Sequence, residues 1–271
     1  MRYGMICCGG LMPFRLASSI AKEGDLRLIL IENIFDDKRL LDFEHKIMPI
    51  GKVGKALGYL KEEKVEGLFI IGNMNMPDFK AIKPDMQGAF LIGKILASRS
   101  KGDDSVLRAV GNFFETNGIK VLSPLDFLPK TEIVSKKSPS NEQNEDILFG
   151  VKVLDEMSHL DIGQSVAICC NRVIGIEAIE GTDEMIKRCK IYNDNGRFSG
   201  MPILVKMSKK TQDIRLDTPT IGLKTIENLH ESGFIGIAIS ENVIISDPID
   251  EVNKKLDEYG IFCHIIKDVS I

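Results

Sequence analysis

Tryptophan is absent from this 271-residue sequence, histidine occurs only four times, and aromatic residues make up 6% of the chain. The four histidines are scattered, and His230-Glu231 lacks the second histidine that would complete a zinc-binding protease helix. No Cys-x-x-Cys spacing occurs among the six cysteines. The sequence therefore offers little support for zinc chemistry.

A secretory signal is also lacking at the start of the sequence, and the cysteines include two directly adjacent pairs, Cys7-Cys8 and Cys169-Cys170. Neighbouring cysteines rarely bridge each other. Adjacent residues of a strand face opposite sides of a sheet, so we expect both pairs to fill the core. Reduced thiols and the lack of a signal peptide predict a cytoplasmic protein.

No excess of positive charge is present, because 35 basic residues face 39 acidic ones and the net charge is −4. Binding along a nucleic acid needs clustered lysine and arginine, so we expect no nucleic-acid partner. The longest apolar runs, Leu68–Ile71 and Val166–Cys170, are far too short to span a bilayer. These features exclude an integral membrane protein, but not an enzyme that touches a lipid surface.

Short apolar runs alternate with amphipathic stretches along the whole sequence, a pattern typical of an α/β fold. We predict two α/β domains, a Rossmann-like parallel sheet in residues 1–130 and a second α/β domain in residues 131–271. The polar, proline-containing stretch 123–146 is the best candidate for a linker or an exposed crossover. In the last predicted helix, Asp247 can cap, Pro248 occupies the first turn and Gly260 ends the helix.

A turn at Gly9-Gly10 follows the first predicted strand and opens the first helix. Free backbone N–H groups at a helix N-terminus attract phosphate, although a tight turn without a ligand explains the same residues. The turn is not the dinucleotide-binding fingerprint, because Leu11, Met12 and Pro13 follow Gly10 and no third glycine stands in register. No P-loop and no Gly-x-Ser-x-Gly nucleophile motif occurs.

Polar clusters lie at the ends of the predicted elements, where doubly wound folds bind ligands. Carboxylates there can hold Mg²⁺ through one or two acids together with a substrate phosphate. Lys206 or Arg215 could then neutralise the phosphate oxygens as charge develops.

Each of these clusters also has a purely structural explanation. Asp103-Asp104 and Thr182 can cap helices. Lys206, at a strand end, would ordinarily be solvated, and Asp217 can close a turn by bonding its own backbone. No single cluster decides between the two explanations.

Taken together, the clusters resemble the UDP-2,3-diacylglucosamine pyrophosphohydrolase family of lipid A biosynthesis, in the form unrelated to the metallophosphoesterase enzyme. The resemblance covers nearly the whole chain. The motifs that carry it are Gly72-Asn73 with Pro77-Asp78-Phe79, Lys101-Gly102-Asp103-Asp104, Asp161-Ile162-Gly163-Gln164, Glu177-Ala178 with Glu180-Gly181-Thr182-Asp183, and Asp217 with Pro219-Thr220-Ile221-Gly222.

This resemblance implies a Mg²⁺-dependent cytoplasmic enzyme, commonly a homodimer, that works at the inner face of the inner membrane. Water would attack the α-phosphorus of UDP-2,3-diacylglucosamine and release UMP and 2,3-diacylglucosamine 1-phosphate. The active site would lie between the two domains, with most catalytic residues on the second. We expect acidic side chains of both domains to converge there on one diphosphate.

The resemblance also implies roles for individual residues. Asp217 matches the family's essential aspartate and, with Asp104, is the expected catalytic and metal-binding residue. The expected substrate-binding residues are Gly10, Leu11, Asn73, Asp103, Gln164, Thr182 and Lys206. Relatives often carry a third glycine where this chain has Leu11.

The sequence is also compatible with two other functions. A nucleotide-cofactor oxidoreductase would use the Gly9-Gly10 turn, with Glu32 at the end of the second strand holding a ribose. A non-catalytic sensor would bind the same nucleotide lipid without turnover.

Overall fold

A computed structural model describes residues 1–74, 77–97, 103–128, 133–160, 162–209 and 213–267. The chain forms two compact units, one comprising Met1–Pro129 and Asp213–Asp217, the other Lys130–Gln212 and Thr218–Ile271. The sequence placed residue 217 in the second domain, whereas the short segment Asp213–Asp217 packs with the first unit. Among the described residues, no helix is long and apolar enough to cross a bilayer.

The first unit is built on a five-stranded sheet in which every neighbouring pair is parallel. The strand order is β3-β2-β1-β4-β5, the order of a Rossmann half-sheet extended on both sides of β1, so the predicted Rossmann-like parallel sheet is confirmed. The strands are β1 (Arg2–Cys7), β2 (Asp25–Ile31), β3 (His45–Met48), β4 (Gly67–Ile71) and β5 (Lys120–Val121), and the helices are α1 (Met12–Ile20), α2 (Val53–Glu62), α3 (Met86–Ala97) and α4 (Asp103–Thr116).

Strand β1 shows how this sheet is buried on both faces. Met5 and Cys7 belong to one apolar cluster, and Ile6 and Cys8 belong to another. Successive side chains of a strand point to opposite faces, and a parallel sheet with helices on both sides buries both sets. The Cys7-Cys8 pair therefore fills the core as expected.

The second unit contains a mixed sheet of order β12-β10-β8-β6-β7. Its three strands β12, β10 and β8 are parallel, whereas β6 runs antiparallel to both β8 and β7. The predicted second α/β domain is confirmed. The strands are β6 (Ser165–Cys169), β7 (Arg172–Ile176), β8 (Ile203–Lys206), β9 (Thr220–Ile221), β10 (Gly236–Ser240), β11 (Ile244–Ile245) and β12 (Phe262–Ile266), and the helices are α5 (Asn141–Met157), α6 (Thr182–Asp194), α7 (Leu223–Glu231) and α8 (Ile249–Tyr259).

The described residues also form three short 3₁₀ segments and one two-stranded ribbon. The 3₁₀ segments are Lys38–Asp42, Pro124–Asp126 and Ser158–Leu160. The ribbon pairs β9 with β11 in parallel, apart from the five-stranded sheet.

The polar stretch predicted as a linker contains the start of a helix. Helix α5 begins at Asn141, and Ser140 caps it by accepting a hydrogen bond from the N–H of Gln143. The Gln143 side chain accepts one from the N–H of Ser140 in return, which completes a capping box. Polar residues are preferred at such a start, so the linker interpretation was wrong for residues 141–146.

Candidate functional site

The ends of β1 and β4 meet at the point where the strand order of the first sheet reverses. Gly9 and Asn73 exchange two backbone hydrogen bonds there, of 3.0 and 2.8 Å. Gly72 has φ +111°, and a Cβ at this position would lie 2.8 Å from the carbonyl carbon of Cys8, so only glycine fits. In open α/β sheets this reversal is the usual ligand crevice.

Three predicted binding residues lie together at this crevice. Gly10 has φ +89°, and a Cβ on it would come within 3.2 Å of Nδ2 of Asn73. Leu11 follows at the N-cap position of α1 and is exposed. The structure therefore brings Gly10, Leu11 and Asn73 to one edge of the first sheet.

A carboxylate that the sequence did not single out also lies at this turn. The N–H of Gly10 donates a 2.9 Å hydrogen bond to Oδ1 of Asp36, in the loop after β2. The turn already satisfies this donor with a negative group, so a phosphate at Gly10 would have to replace Asp36. Asp36 is therefore an acid that contacts the glycine turn.

In the second unit, a buried polar network joins the end of β8 to the start of α6. The Nζ atom of Lys206 donates to Oγ1 of Thr182 at 2.7 Å, and Oγ1 of Thr182 donates to Oε1 of Glu177 at 3.0 Å. The hydroxyls of Ser165 and Thr182 are 3.2 Å apart. Lys206 is only 4% exposed, so its charge depends on such partners for compensation.

Strand pairing explains why these residues meet. Ser165, the first residue of β6, lies opposite Lys206, the last residue of β8, because the two strands are antiparallel. Glu177 directly follows β7, the other neighbour of β6. The last residue of β8, the first residue of β6 and the residue that follows β7 therefore lie at the same end of the sheet.

Gln164 joins this network through its backbone. Its N–H donates to Oε2 of Glu177 at 3.2 Å, and its side-chain oxygen is buried without a hydrogen-bond partner among the described residues. A Cβ at Gly163 would be 2.1 Å from the carbonyl oxygen of Glu177, so this glycine allows the close approach. A buried acceptor without a donor is costly, and a ligand hydroxyl or amide could satisfy it.

Thr182 occupies a different helix position from the one its sequence favoured. Gly181 is the N-cap of α6, with φ +81°, and Thr182 is the first helical residue. Its hydroxyl bonds to Glu177 and Lys206 and does not cap the helix. The N-terminus of α6 and the Lys206 ammonium are the positive groups at this position, and the Glu177 carboxylate lies beside them in the same network.

The structure thus brings Gln164, Thr182 and Lys206 together and adds Ser165 and Glu177, which were not expected as site residues. Glu177 stood within a motif that carried the family resemblance, so a signal for it existed in the sequence. Ser165 gave no signal, because a lone serine at a strand start is unremarkable until the pairing with β8 is known.

Asp217 lies at the end of a turn that is fastened to the first unit. Its N–H and that of Leu216 both donate to the carbonyl oxygen of Asp213, at 3.0 and 2.9 Å. The Leu216 side chain is buried in the apolar core beside Gly111, where a Cβ would come within 2.8 Å of it. This packing fixes the backbone that carries Asp217.

Arg215 in the same turn is engaged in structural ion pairs. Its Nε and Nη2 donate to the two carboxylate oxygens of Asp213, and its Nη1 donates to Glu115 at 2.7 Å. The hydrogen bonds from Arg215 lower the pKa of Asp213, and those to the two acids raise the pKa of Arg215. The alternative that Arg215 neutralises phosphate is therefore not favoured, because carboxylates already occupy its guanidinium.

The second expected metal ligand, Asp104, and its neighbour Asp103 stand at the start of α4, but their side chains lie outside the described part of the chain. Within the described residues, no group of three or more histidine, cysteine, aspartate or glutamate side chains could hold a metal ion.

Comparisons with known proteins match both units. The family model of the LpxI N-terminal domain matches residues 2–131, and that of the LpxI C-terminal domain matches residues 130–264. A curated relative, the UDP-2,3-diacylglucosamine pyrophosphatase LpxI of Caulobacter vibrioides, is 30% identical over 268 residues. The match covers 96% of this chain and 96% of the relative.

Proposed function

Because this chain belongs to the LpxI family, we propose that it hydrolyses the pyrophosphate of UDP-2,3-diacylglucosamine in lipid A biosynthesis. Water attacks the α-phosphorus, the bond to the bridging oxygen breaks, and UMP and 2,3-diacylglucosamine 1-phosphate leave. The observation that carries this proposal is the full-length similarity to a pyrophosphatase of that name. The comparisons give no support to an oxidoreductase or to a non-catalytic sensor.

The network around Lys206 supports phosphoryl chemistry at the second sheet. Its ammonium has three N–H groups, of which one donates to Thr182. A cation that is buried and already oriented stabilises charge on phosphate oxygens more than a solvated one does, because no water must be reorganised. We assign Lys206 and Thr182 to the diphosphate, and Gln164 to a hydroxyl or amide of the substrate.

Asp217 is the residue proposed to hold Mg²⁺ or to orient the attacking water, with Asp103 and Asp104 as supporting acids. The donor set fits this ion, since Mg²⁺ prefers carboxylate oxygens and binds through one or two of them while it retains waters. Bound Mg²⁺ would neutralise the developing charge on the diphosphate.

The direct test is release of UMP by the purified protein from UDP-2,3-diacylglucosamine in detergent micelles. We expect UMP in the presence of Mg²⁺ and its loss with a chelator, restored when Mg²⁺ is returned. If the protein binds the substrate but releases no UMP in the presence of Mg²⁺, it is a non-catalytic sensor and not a hydrolase. If the chelator does not change the rate of UMP release, Mg²⁺ has no part in the reaction.

For access to a diacylated substrate, we propose that α3 docks on the cytoplasmic face of the inner membrane. Met86 and Phe90 are 86% and 74% exposed on one face of this helix, and Leu96, near its end, is 54% exposed. The opposite face packs inward through Gly88, Leu91 and Ile95. An apolar face of this kind suits insertion at the boundary between headgroups and acyl chains.

The charge of α3 favours the same partner. Lys94 is its one charged residue, and no acidic residue occurs within Met86–Ala97. A cation next to an inserted apolar face is attracted to anionic lipids and not repelled by them.

Co-sedimentation with phosphatidylglycerol vesicles tests this docking. The wild type should bind, and Phe90→Ser should weaken binding roughly fivefold or more, because an exposed aromatic no longer enters the lipid. Leu148→Ser is the matched control, since Leu148 is also exposed, on α5. Equal binding by the Phe90 and Leu148 variants would place the membrane contact elsewhere.

The family resemblance also supports a homodimer. Sedimentation velocity of the purified protein should then give a species of twice the 30.1 kDa mass of one chain. A single species with the mass of one chain would contradict the homodimer.

A further inference from the structure

The two adjacent cysteine pairs of this chain have opposite geometries. Cys7 and Cys8 point into different clusters on the two faces of the first sheet. The Sγ atoms of Cys169 and Cys170, in contrast, lie 3.8 Å apart. The expectation that both pairs split across a sheet was therefore wrong for the second pair.

A tight turn brings these two sulfurs together. Cys169 ends β6, and Cys170 and Asn171 form the two-residue connection to β7, with φ +52° and +55°. Positive φ at both central residues is the geometry of a type I′ hairpin turn. It rotates the Cys170 side chain out of the strand alternation and towards Cys169.

A buried carboxylate holds the turn in this conformation. The N–H groups of Cys170 and Asn171 donate to Oδ2 and Oδ1 of Asp146 at 3.0 and 2.5 Å. Asp146 is buried on helix α5. Cysteine with positive φ is uncommon, so this pair of charge-assisted hydrogen bonds offsets a backbone cost.

The surroundings leave the sulfurs reachable from one side. Cys170 is exposed and Cys169 is buried behind it. The carbonyl oxygen of Ser199 is 3.8 and 4.0 Å from the two Sγ atoms, and a Cβ on Gly200 would come within 2.8 Å of Sγ of Cys169. Burial raises the pKa of Cys169 to about 12, so this thiol is protonated at neutral pH.

We propose that Cys169 and Cys170 form a bidentate thiol site for a thiophilic trivalent arsenic centre. Two soft sulfur donors held side by side match the ligand preference of such a centre. The site is separate from the polar network described above, because Cys169 and Ser165 lie at opposite ends of β6. The proposal does not depend on the pyrophosphatase activity.

With an organoarsenic oxide, the reaction balances without an oxidant. Two S–As bonds form, both As–O bonds break, and the two thiol protons leave with the oxygen as one water molecule, while arsenic stays trivalent. The exposed Cys170 reacts first. Cys169 then closes the chelate intramolecularly, which favours it strongly over two separate monothiol adducts.

The experiment treats the reduced full-length protein with one equivalent of phenylarsine oxide in excess 2-mercaptoethanol and measures the intact mass. We expect one adduct of the arsenical minus one water, which 2,3-dimercaptopropanol removes. Cys170→Ser should lose the adduct. Cys7→Ser is the matched control, because it removes one cysteine of the Cys7-Cys8 pair, whose side chains lie on opposite faces of the first sheet. This variant should keep the adduct.

The supporting turn provides a second variant. Asp146→Asn removes one of the two carboxylate acceptors, and we expect retention of the arsenical to weaken by about tenfold. An adduct that persists in Cys170→Ser, or that excess monothiol displaces from the wild type, would overturn the proposal. So would loss of the adduct in Cys7→Ser.

Discussion

At the scale of single residues, Lys206 shows how pairing changes the meaning of a sequence. A lysine at the end of a strand is ordinarily solvated, yet Lys206 is almost completely buried. The antiparallel partner β6 and the start of α6 cover it and supply the hydroxyl of Thr182. The sequence singled out Thr182 within a motif that carries the family resemblance and Lys206 as a lysine at a predicted strand end. Their mutual hydrogen bond depends on a strand direction that no local pattern shows.

Thr182→Val is expected to destabilise the second unit by about 1–3 kcal/mol, because a nearly isosteric change leaves buried polar groups of the network without their shared partner. Thr182→Ser keeps the hydroxyl and is the control. Chemical denaturation of the three proteins measures the effect. A valine variant as stable as the wild type would show that the network is not needed for folding.

Asp217→Asn should lower UMP release by roughly two orders of magnitude or more, because an amide cannot supply the negative oxygen needed for a metal ion or a water proton. The fold should persist, because asparagine has the shape of aspartate and the backbone N–H of residue 217 keeps its bond to the carbonyl oxygen of Asp213. Asp250→Asn, at an exposed position of α8, is the control and should keep the wild-type rate. A near-normal rate of UMP release by Asp217→Asn would show that the Asp217 carboxylate has no part in catalysis.

At the scale of elements, helices with local end signals could be predicted well and those without them could not. Gly260 ends α8 in the left-handed conformation, as its position indicated. Strand β3 has only four residues, two of them exposed, and Lys52, the N-cap residue of α2, makes no side-chain capping hydrogen bond. Neither element carried a signal strong enough to be assigned from the sequence.

Asp247 was assigned to the wrong helix. Pro248 is the N-cap of α8, and no side chain caps that helix. Asp247 instead accepts a 2.9 Å hydrogen bond from the N–H of Leu223, the first residue of α7. Gly222 permits this approach, because a Cβ there would lie 2.2 Å from the carboxylate. A cap contributed from 24 residues away leaves no local pattern.

Asp247→Ala should therefore cost about 1 kcal/mol of stability through the start of α7. Asp250→Ala removes an exposed acid from the first turn of α8 and should cost no more than about 0.5 kcal/mol. Urea denaturation of both variants distinguishes these values. A larger loss of stability in Asp250→Ala than in Asp247→Ala would contradict the assignment of the Asp247 cap to α7.

At the scale of the whole molecule, the packing of Asp213–Asp217 on the first unit was the least predictable feature. Arg215 bonds to Glu115, which is 100 residues earlier in the chain. The sequence does give the alternation of strands and helices and thus both α/β domains. The contact of a short polar segment with a distant core depends on the complete fold.

Acid should weaken the molecule through the same ion pairs. Arg215 lowers the pKa of Asp213 in the folded state, and Arg39 does the same for Asp37. A lowered folded pKa contributes stability above the unfolded value of about 3.9, and this contribution is lost as pH falls below it.

The advantage of the wild type over Asp213→Asn in free energy of unfolding should thus be full at pH 7 and shrink below about pH 4. Denaturation at pH 7, 4 and 3 measures it. A difference that stays constant over this range would contradict the lowered pKa of Asp213.

In the proposed reaction, water attacks the α-phosphorus of UDP-2,3-diacylglucosamine. Hydrolysis in ¹⁸O-labelled water, followed by mass spectrometry of both products, tests it directly. Attack at the α-phosphorus should place one ¹⁸O atom in UMP and none in 2,3-diacylglucosamine 1-phosphate. Label in the lipid phosphate, or no UMP from active protein, would contradict it.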